Sequence, residues 1–94
     1  MTASEWKNQF QQHDNSHDEV AVQFGRNVTH LRRSQKINKQ TFALMVGISR
    51  PHLDAIEAGE VDARISLIMQ LAEALSVPPD KLVFTDMTGG SSPR

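Results

Sequence analysis

Cysteine is absent from the 94 residues of this chain. That excludes a disulfide-stapled scaffold and a cysteine-ligated zinc finger, and it is compatible with a reducing cytoplasm, where the protein is expected to reside. No stretch approaches the apolar length of a transmembrane helix, and no signal peptide appears. A nucleophile elbow, a phosphate loop and an acid–base pair set for catalysis are also missing. Neither an enzyme nor a cofactor is expected. His13 and His17 with Asp14 and Asp18 have metal-like spacing, but the segment is polar and reads as a linker, so no metal is expected either. One further absence is local: no acid occurs between Gly25 and Leu53.

What is present is written most clearly in Phe42 to Gly59, FALMVGISRPHLDAIEAG. Asn38 is a good N-cap for a helix from about Lys39 to Val46. Gly47 falls where a helix ends in the left-handed region, which glycine adopts without a Cβ clash. Ile48 can plug the corner. Ser49 is a second N-cap, and Pro51 sits in the next first turn, where its missing N–H costs nothing. Leu53 and Ile56 give that helix an apolar edge, and Gly59 ends it. Phe42, Ala43 and Val46 make the matching edge on the first helix, with Leu44 and Met45 adding bulk. Two short helices across a tight turn can place the second in the major groove of DNA. An αα-hairpin without a ligand shares the same pattern.

Charge separates these readings. The chain as a whole carries net −1, but the balance is uneven. Residues 1–24 set Glu5, Asp14, Asp18 and Glu19 against Lys7, and residues 54–94 set seven acids against Arg64, Lys81 and Arg94. Between them, Arg26, Arg32, Arg33, Lys36, Lys39 and Arg50 stand without a single acid. Six positive charges centred on the turn form the footprint expected of a phosphate-binding face.

The flanking segments predict an all-α domain of five helices over residues 17–84. Ser16-His17-Asp18-Glu19 has the form of a capping box and should open a helix through about Gln35, with Val20, Phe24, Val28 and Leu31 on one face. Ile65, Ile68, Leu71, Ala72 and Leu75 form a helical stripe with Leu67 on its flank, and Val77-Pro78-Pro79 stops it. Pro79 can start a last short helix to about Phe84, with Leu82 and Val83 facing inward. Residues 1–16 are an arm or a short extra helix, for Thr2–Glu5 offers a capping box and Trp6 with Phe10 an aromatic pair. Residues 85–94 have the composition of a flexible tail.

These residues together resemble the lambda-repressor-like helix-turn-helix domains of the Cro and XRE type. The likeness runs from about Gly25 to Val83. It rests on Gly25, Val28, Leu31-Arg32, Ile37, Phe42-Ala43, Gly47-Ile48-Ser49, Leu53, Ile56-Glu57, Gly59, Leu67, Leu71-Ala72, Leu75, Val77 and Leu82. The resemblance implies a compact five-helix DNA-binding domain whose third helix, about Arg50 to Ala58, enters the major groove. It also implies a clasp between Arg32 and Glu57. Base reading is then expected from Arg50, Pro51, His52, Asp54 and Gln40. Arg50 suits guanine, whose O6 and N7 match its fork. Asp54 can brace Arg50 as an i, i+4 pair, accept from cytosine N4, or form a surface salt bridge with no reading role. Phosphate contact is expected from Lys39, Ser49, Lys36 and Arg64, with a secondary one from Arg32. Lys39 stands where many relatives have glutamine, and a point charge suits phosphate. Lys36 replaces a frequent turn glycine, so the end of the first helix is expected to differ in shape. Glu60 and Asp62 in the following loop oppose phosphate.

The function implied is a transcriptional regulator, expected to be a repressor, binding double-stranded DNA as a homodimer on a palindromic operator. The dimer surface is expected near Val83, Phe84 and Met87, or at Trp6 and Phe10. The alternative is an antitoxin that binds a toxin protein and regulates its own operon.

Overall fold

The first helix, α1 (Asp14–Ser34), runs for 21 residues and opens two residues before Ser16. The computed structural model describes residues 14–85, and side chains from Glu19 onward. The expected capping box therefore lies inside the helix. Asp14 and Asn15 are themselves residues that a first turn favours, so nothing halts the helix at Ser16. Trp6, Phe10 and Met87, expected at a dimer surface, fall outside the described residues, as does the metal-like set, whose side chains come before Glu19.

Ala21, Phe24 and Val28 of α1 are buried and Leu31 is half-buried, but Val20 is 57% exposed. Steps of four residues drift about 40° round a helix of 3.6 residues per turn, so a stripe centred on Phe24 and Val28 leaves Val20 at its edge. Helix α2 (Lys39–Val46) buries Phe42, Ala43 and Val46. Leu44 and Met45, expected to add bulk to that edge, face solvent instead. Helix α3 (Arg50–Glu57) buries Leu53 and Ile56. Helix α4 (Ile65–Leu75) buries Leu67, Leu71, Ala72 and Leu75. Here the expected stripe is corrected at its first residue: Ile65 is 79% exposed. It stands six residues before Leu71, about 240° round the helix, whereas Leu67 stands four before and shares its face. Helix α5 (Pro79–Phe84) inserts Leu82, half-buries Val83 and leaves Phe84 outside.

The described residues thus form five helices and no strand. Helix α1 packs along α3 and α5, α2 packs against α3 and α4, and α4 closes on α5. Burying the twelve core side chains between them is the main source of stability. Two polar devices fix how the helices meet. Asn27 is fully buried and donates through Nδ2 to the Leu82 carbonyl at 2.8 Å and to the Thr85 carbonyl, which ties α1 to the end of α5. Gly25 lies so close to α3 that a Cβ there would sit 2.8 Å from the Glu57 carbonyl oxygen and closer still to that of Ile56.

The turns follow the local chemistry. Asn38 Oδ1 accepts from the Thr41 N–H at 2.8 Å, and Ser49 Oγ accepts from the His52 N–H at 3.2 Å. Gly47 has φ 88°, and its N–H and that of Ile48 both donate to the Ala43 carbonyl. Lys36 takes the left-handed conformation itself, at φ 60°, while Lys36 and Ile37 donate to the carbonyls of Arg33 and Arg32. The turn after α1 keeps a left-handed, glycine-like shape and places a lysine in it.

Candidate nucleic-acid interface

Helix α3 is anchored by Leu53 and Ile56 and turns Arg50, Pro51, His52 and Asp54 to solvent. Ala55 is half-buried. Pro51 lies in the first turn, where a backbone donor has no intrahelical partner. Ser49 precedes it, exposed, with its oxygen engaged as the cap and its hydroxyl hydrogen left to donate.

The base of α3 is held to α1 by Arg32 and Glu57. Arg32 Nε donates to Glu57 Oε2 at 2.7 Å and Nη2 to Oε1 at 3.2 Å, a bidentate fork, while Nη1 donates to the Ile37 carbonyl at 2.8 Å. Both side chains are only 6% exposed. With all three nitrogens engaged and buried, Arg32 offers no surface to a phosphate, and the secondary role expected of it is set aside.

Helices α2 and α3 are joined at the outer surface by a second cluster. Lys39 Nζ donates to Asp54 Oδ1 at 3.0 Å, and Arg50 Nε stands 3.7 Å from the same oxygen. Lys39 was expected to face phosphate, and Arg50 was the only ion-pair partner named for Asp54. The structure makes Lys39 the shorter partner, across the turn. Its hydrogen bond holds the Asp54 carboxyl below its ordinary value, and the charges of Lys39 and Arg50 act the same way against an opposing desolvation. The pairing joins residues fifteen apart in sequence, so only the crossing of two helices brings it about.

Gln40 is exposed beside Lys39, and Lys36 is exposed in the turn before it. Arg64 is exposed at the N-cap of α4, in a stretch that also exposes Glu60 and Asp62. Arg26 and Arg33, which complete the acid-free window, line an open groove of about 510 Å³ along α1 with Thr29, His30, Ser34 and Glu57. Folding therefore alters the charge pattern read along the chain. Asp54 and Glu57 lie just beyond the basic window and return onto three of its six cations. The outer cluster formed by Lys39, Arg50 and Asp54 carries a net charge of only one positive unit.

A helix-turn-helix family model, HTH_3, matches residues 30–82, more than half of the chain. Among solved structures, the restriction-modification controller protein C.AhdI from Aeromonas hydrophila is 29% identical with a TM-score of 0.64. The alignment covers 66% of this chain and 94% of that one. An HTH_3 family transcriptional regulator from Vibrio cholerae shares the fold, with a TM-score of 0.66 at 23% identity over 69% of this chain. This chain spans about a third of that regulator, with 36% of it covered. No curated protein matches the sequence. Among the described residues, no helix is long and apolar enough to cross a membrane.

Proposed function

Because the chain belongs to the HTH_3 helix-turn-helix family, and is thereby a DNA-binding regulator, we propose that it is a sequence-specific repressor whose α3 lies in the major groove of its operator. The observation that supports this most is the division of α3 into two faces. Leu53 and Ile56 fix the helix to the core, while Arg50, Pro51, His52 and Asp54 stand together outside. Arg50, at the N-terminal end, meets guanine through its fork, and His52, Pro51 and Gln40 line the same approach. Lys36, Lys39, Ser49 and Arg64 are the assigned phosphate contacts.

A single domain reads few base pairs, so two copies act on a palindrome with half-sites about one helical turn apart. The surface assigned to that contact is apolar. Val20, Ile65 and Phe84 are 57%, 79% and 84% exposed, and a groove of about 270 Å³ is lined by Val20, Ala21, Phe24, Val61, Asp62, Ala63, Ile68 and Val83, apolar but for the one carboxylate. A two-fold contact needs a patch that complements itself, and an exposed aromatic beside an apolar groove meets that need.

The test is fluorescence anisotropy with the DNA immediately upstream of the gene and a scrambled duplex, across a salt series. Wild type should prefer the upstream duplex, Arg50→Ala should lose the preference, and Phe84→Ala should weaken operator binding while sedimenting as a monomer. Equal, weak binding of both duplexes by wild type and Arg50→Ala would refute operator reading by α3. A Phe84→Ala monomer that binds as tightly as wild type would leave the apolar face to another protein, and the antitoxin reading would take the repressor's place.

A further inference from the structure

We propose that Asp54 is a specificity-determining residue that couples base reading to backbone binding. It holds Lys39 and Arg50 in the free protein and gives up Lys39 to a phosphate only on DNA that sets a cytosine or adenine amino group on the strand within reach of its carboxylate. The inference rests on α3 being the reading helix.

The geometry points to this from three directions. Helix α3 has two acids, and Glu57 is committed to Arg32, so Asp54 alone brings negative charge to the outer face. One oxygen, Oδ1, serves two cations on two helices, at 3.0 Å to Lys39 and 3.7 Å to Arg50. The cluster is also open: the side chains of Lys39, Asp54 and Arg50 are 34%, 47% and 52% exposed. A purely structural pair in this protein looks different, since Arg32 and Glu57 are each 6% exposed. DNA can therefore reach the outer cluster and compete for its members.

A carboxylate entering the major groove meets mostly acceptors. Phosphates repel it, as do guanine O6 and N7 and thymine O4. The donors there are cytosine N4 and adenine N6. Every base pair carries one of these amino groups, so what varies is the strand; where it lies on the far strand, out of reach of Asp54, the carboxylate keeps Lys39, because the alternative is a desolvated charge without a partner. Lys39 is then withheld from the backbone. Where it lies on the near strand, within reach, it takes over the carboxylate and Lys39 is released to a phosphate. Four residues of helix advance about 6 Å, so this base falls roughly two steps of 3.4 Å from the guanine met by Arg50.

The experiment begins with selection of preferred duplexes from a random library by wild type. Anisotropy titrations over a salt series then compare wild type, Asp54→Ala, Asp54→Asn and Lys39→Ala, with folding checked by thermal melting. Each is measured on the selected duplex, on one altered at the base pair facing Asp54, and on a scrambled duplex. Wild type should lose roughly 5- to 150-fold on the altered duplex, the reach of one good base contact. Its salt slope should flatten there by about 0.9, one phosphate contact. Asp54→Ala should bind scrambled DNA more tightly than wild type and show no preference at that base pair. Asp54→Asn should also bind scrambled DNA more tightly, yet keep part of the preference because its carbonyl still accepts. Lys39→Ala should keep the preference and lose the slope difference.

An Asp54→Ala protein with wild-type preference at every position and unchanged binding to scrambled DNA would overturn the coupling. Loss of preference only at the guanine would make Asp54 a brace for Arg50, and would overturn it too. A wild type with no preference among duplexes would bring down the reading of α3 and the coupling with it. A wild type that selects duplexes, with a base-blind Asp54, brings down the coupling alone.

Discussion

Replacing Glu57 with alanine tests how much of the fold depends on the clasp beneath α3. The carboxylate accepts two charge-assisted hydrogen bonds from Arg32, at 2.7 and 3.2 Å, in a site where both side chains are 6% exposed. Each such bond contributes roughly 1.5–3 kcal/mol. Removing the acid also leaves a buried guanidinium held only by the Ile37 carbonyl. Breaking a buried pair from one side costs about 3–5 kcal/mol, and the two routes agree. A domain of this size has a total stability of only several kcal/mol, so the variant should be close to unfolding in water. Urea denaturation followed by circular dichroism measures this. At a slope of roughly 1–2 kcal/mol per molar, the midpoint should fall by about 2 M or more. The double variant Arg32→Met/Glu57→Met should recover most of the loss, because an apolar pair of similar volume leaves no buried charge. Recovery should stop short by about 1 kcal/mol, since the Ile37 carbonyl loses its donor. A Glu57→Ala protein that loses less than about 1 kcal/mol would equate the clasp with an exposed surface pair and refute the reasoning.

Two further predictions concern the backbone. Gly25→Ala places a Cβ 2.8 Å from the Glu57 carbonyl oxygen, so α1 must lift from α3; a loss of about 1–3 kcal/mol is expected in the same denaturation assay. Unchanged stability would mean that the two helices separate freely. Lys36→Gly removes a non-glycine residue from φ 60° and should stabilise by roughly 0.5–1 kcal/mol, seen as a rise in melting temperature. A fall would show that the lysine side chain contributes more than its backbone conformation costs.

The helix-turn-helix was the most legible part of the sequence because its rules are local. Asn38, Ser49 and Gly47 act within four residues of themselves, and the structure places each cap on the N–H or carbonyl that such residues serve. Helix faces were legible where several apolar residues agreed, as on α3, and failed at the margins. Val20 and Ile65 are apolar and near the right spacing, but exposure at a stripe's edge depends on which way the whole helix is turned, and packing partners decide that. Asn27 was not singled out: a polar residue between apolar ones carries no sign that a carbonyl 55 positions away will receive it. The clasp between Arg32 and Glu57 was available only through resemblance, since no local rule joins residues 25 apart. Lys39 and Asp54 had no such help. Each had a plausible local role, and the crossing of α2 and α3 gave them another.

The return of Asp54 and Glu57 onto the basic window changes what the domain can do alone. Read along the chain, six cations promise strong attraction to any DNA. In the fold, Arg32 is spent on Glu57, and Lys39 and Arg50 share one carboxylate. Of the assigned phosphate contacts, the charged ones with no carboxylate partner among the described residues are Lys36 and Arg64. On the proposed assignments, and counting Lys39 when released, one copy would neutralise about three phosphates, for a salt slope of roughly −2.7. That is too little to hold a single domain on DNA at physiological salt, where non-specific binding through even more contacts is weak. Two copies would double the slope and place two copies of Arg50 on one site. On the proposed reading, the low charge on each outer face favours a dimer on the same grounds as specificity: neither copy would bind well until both were seated and their bases were right.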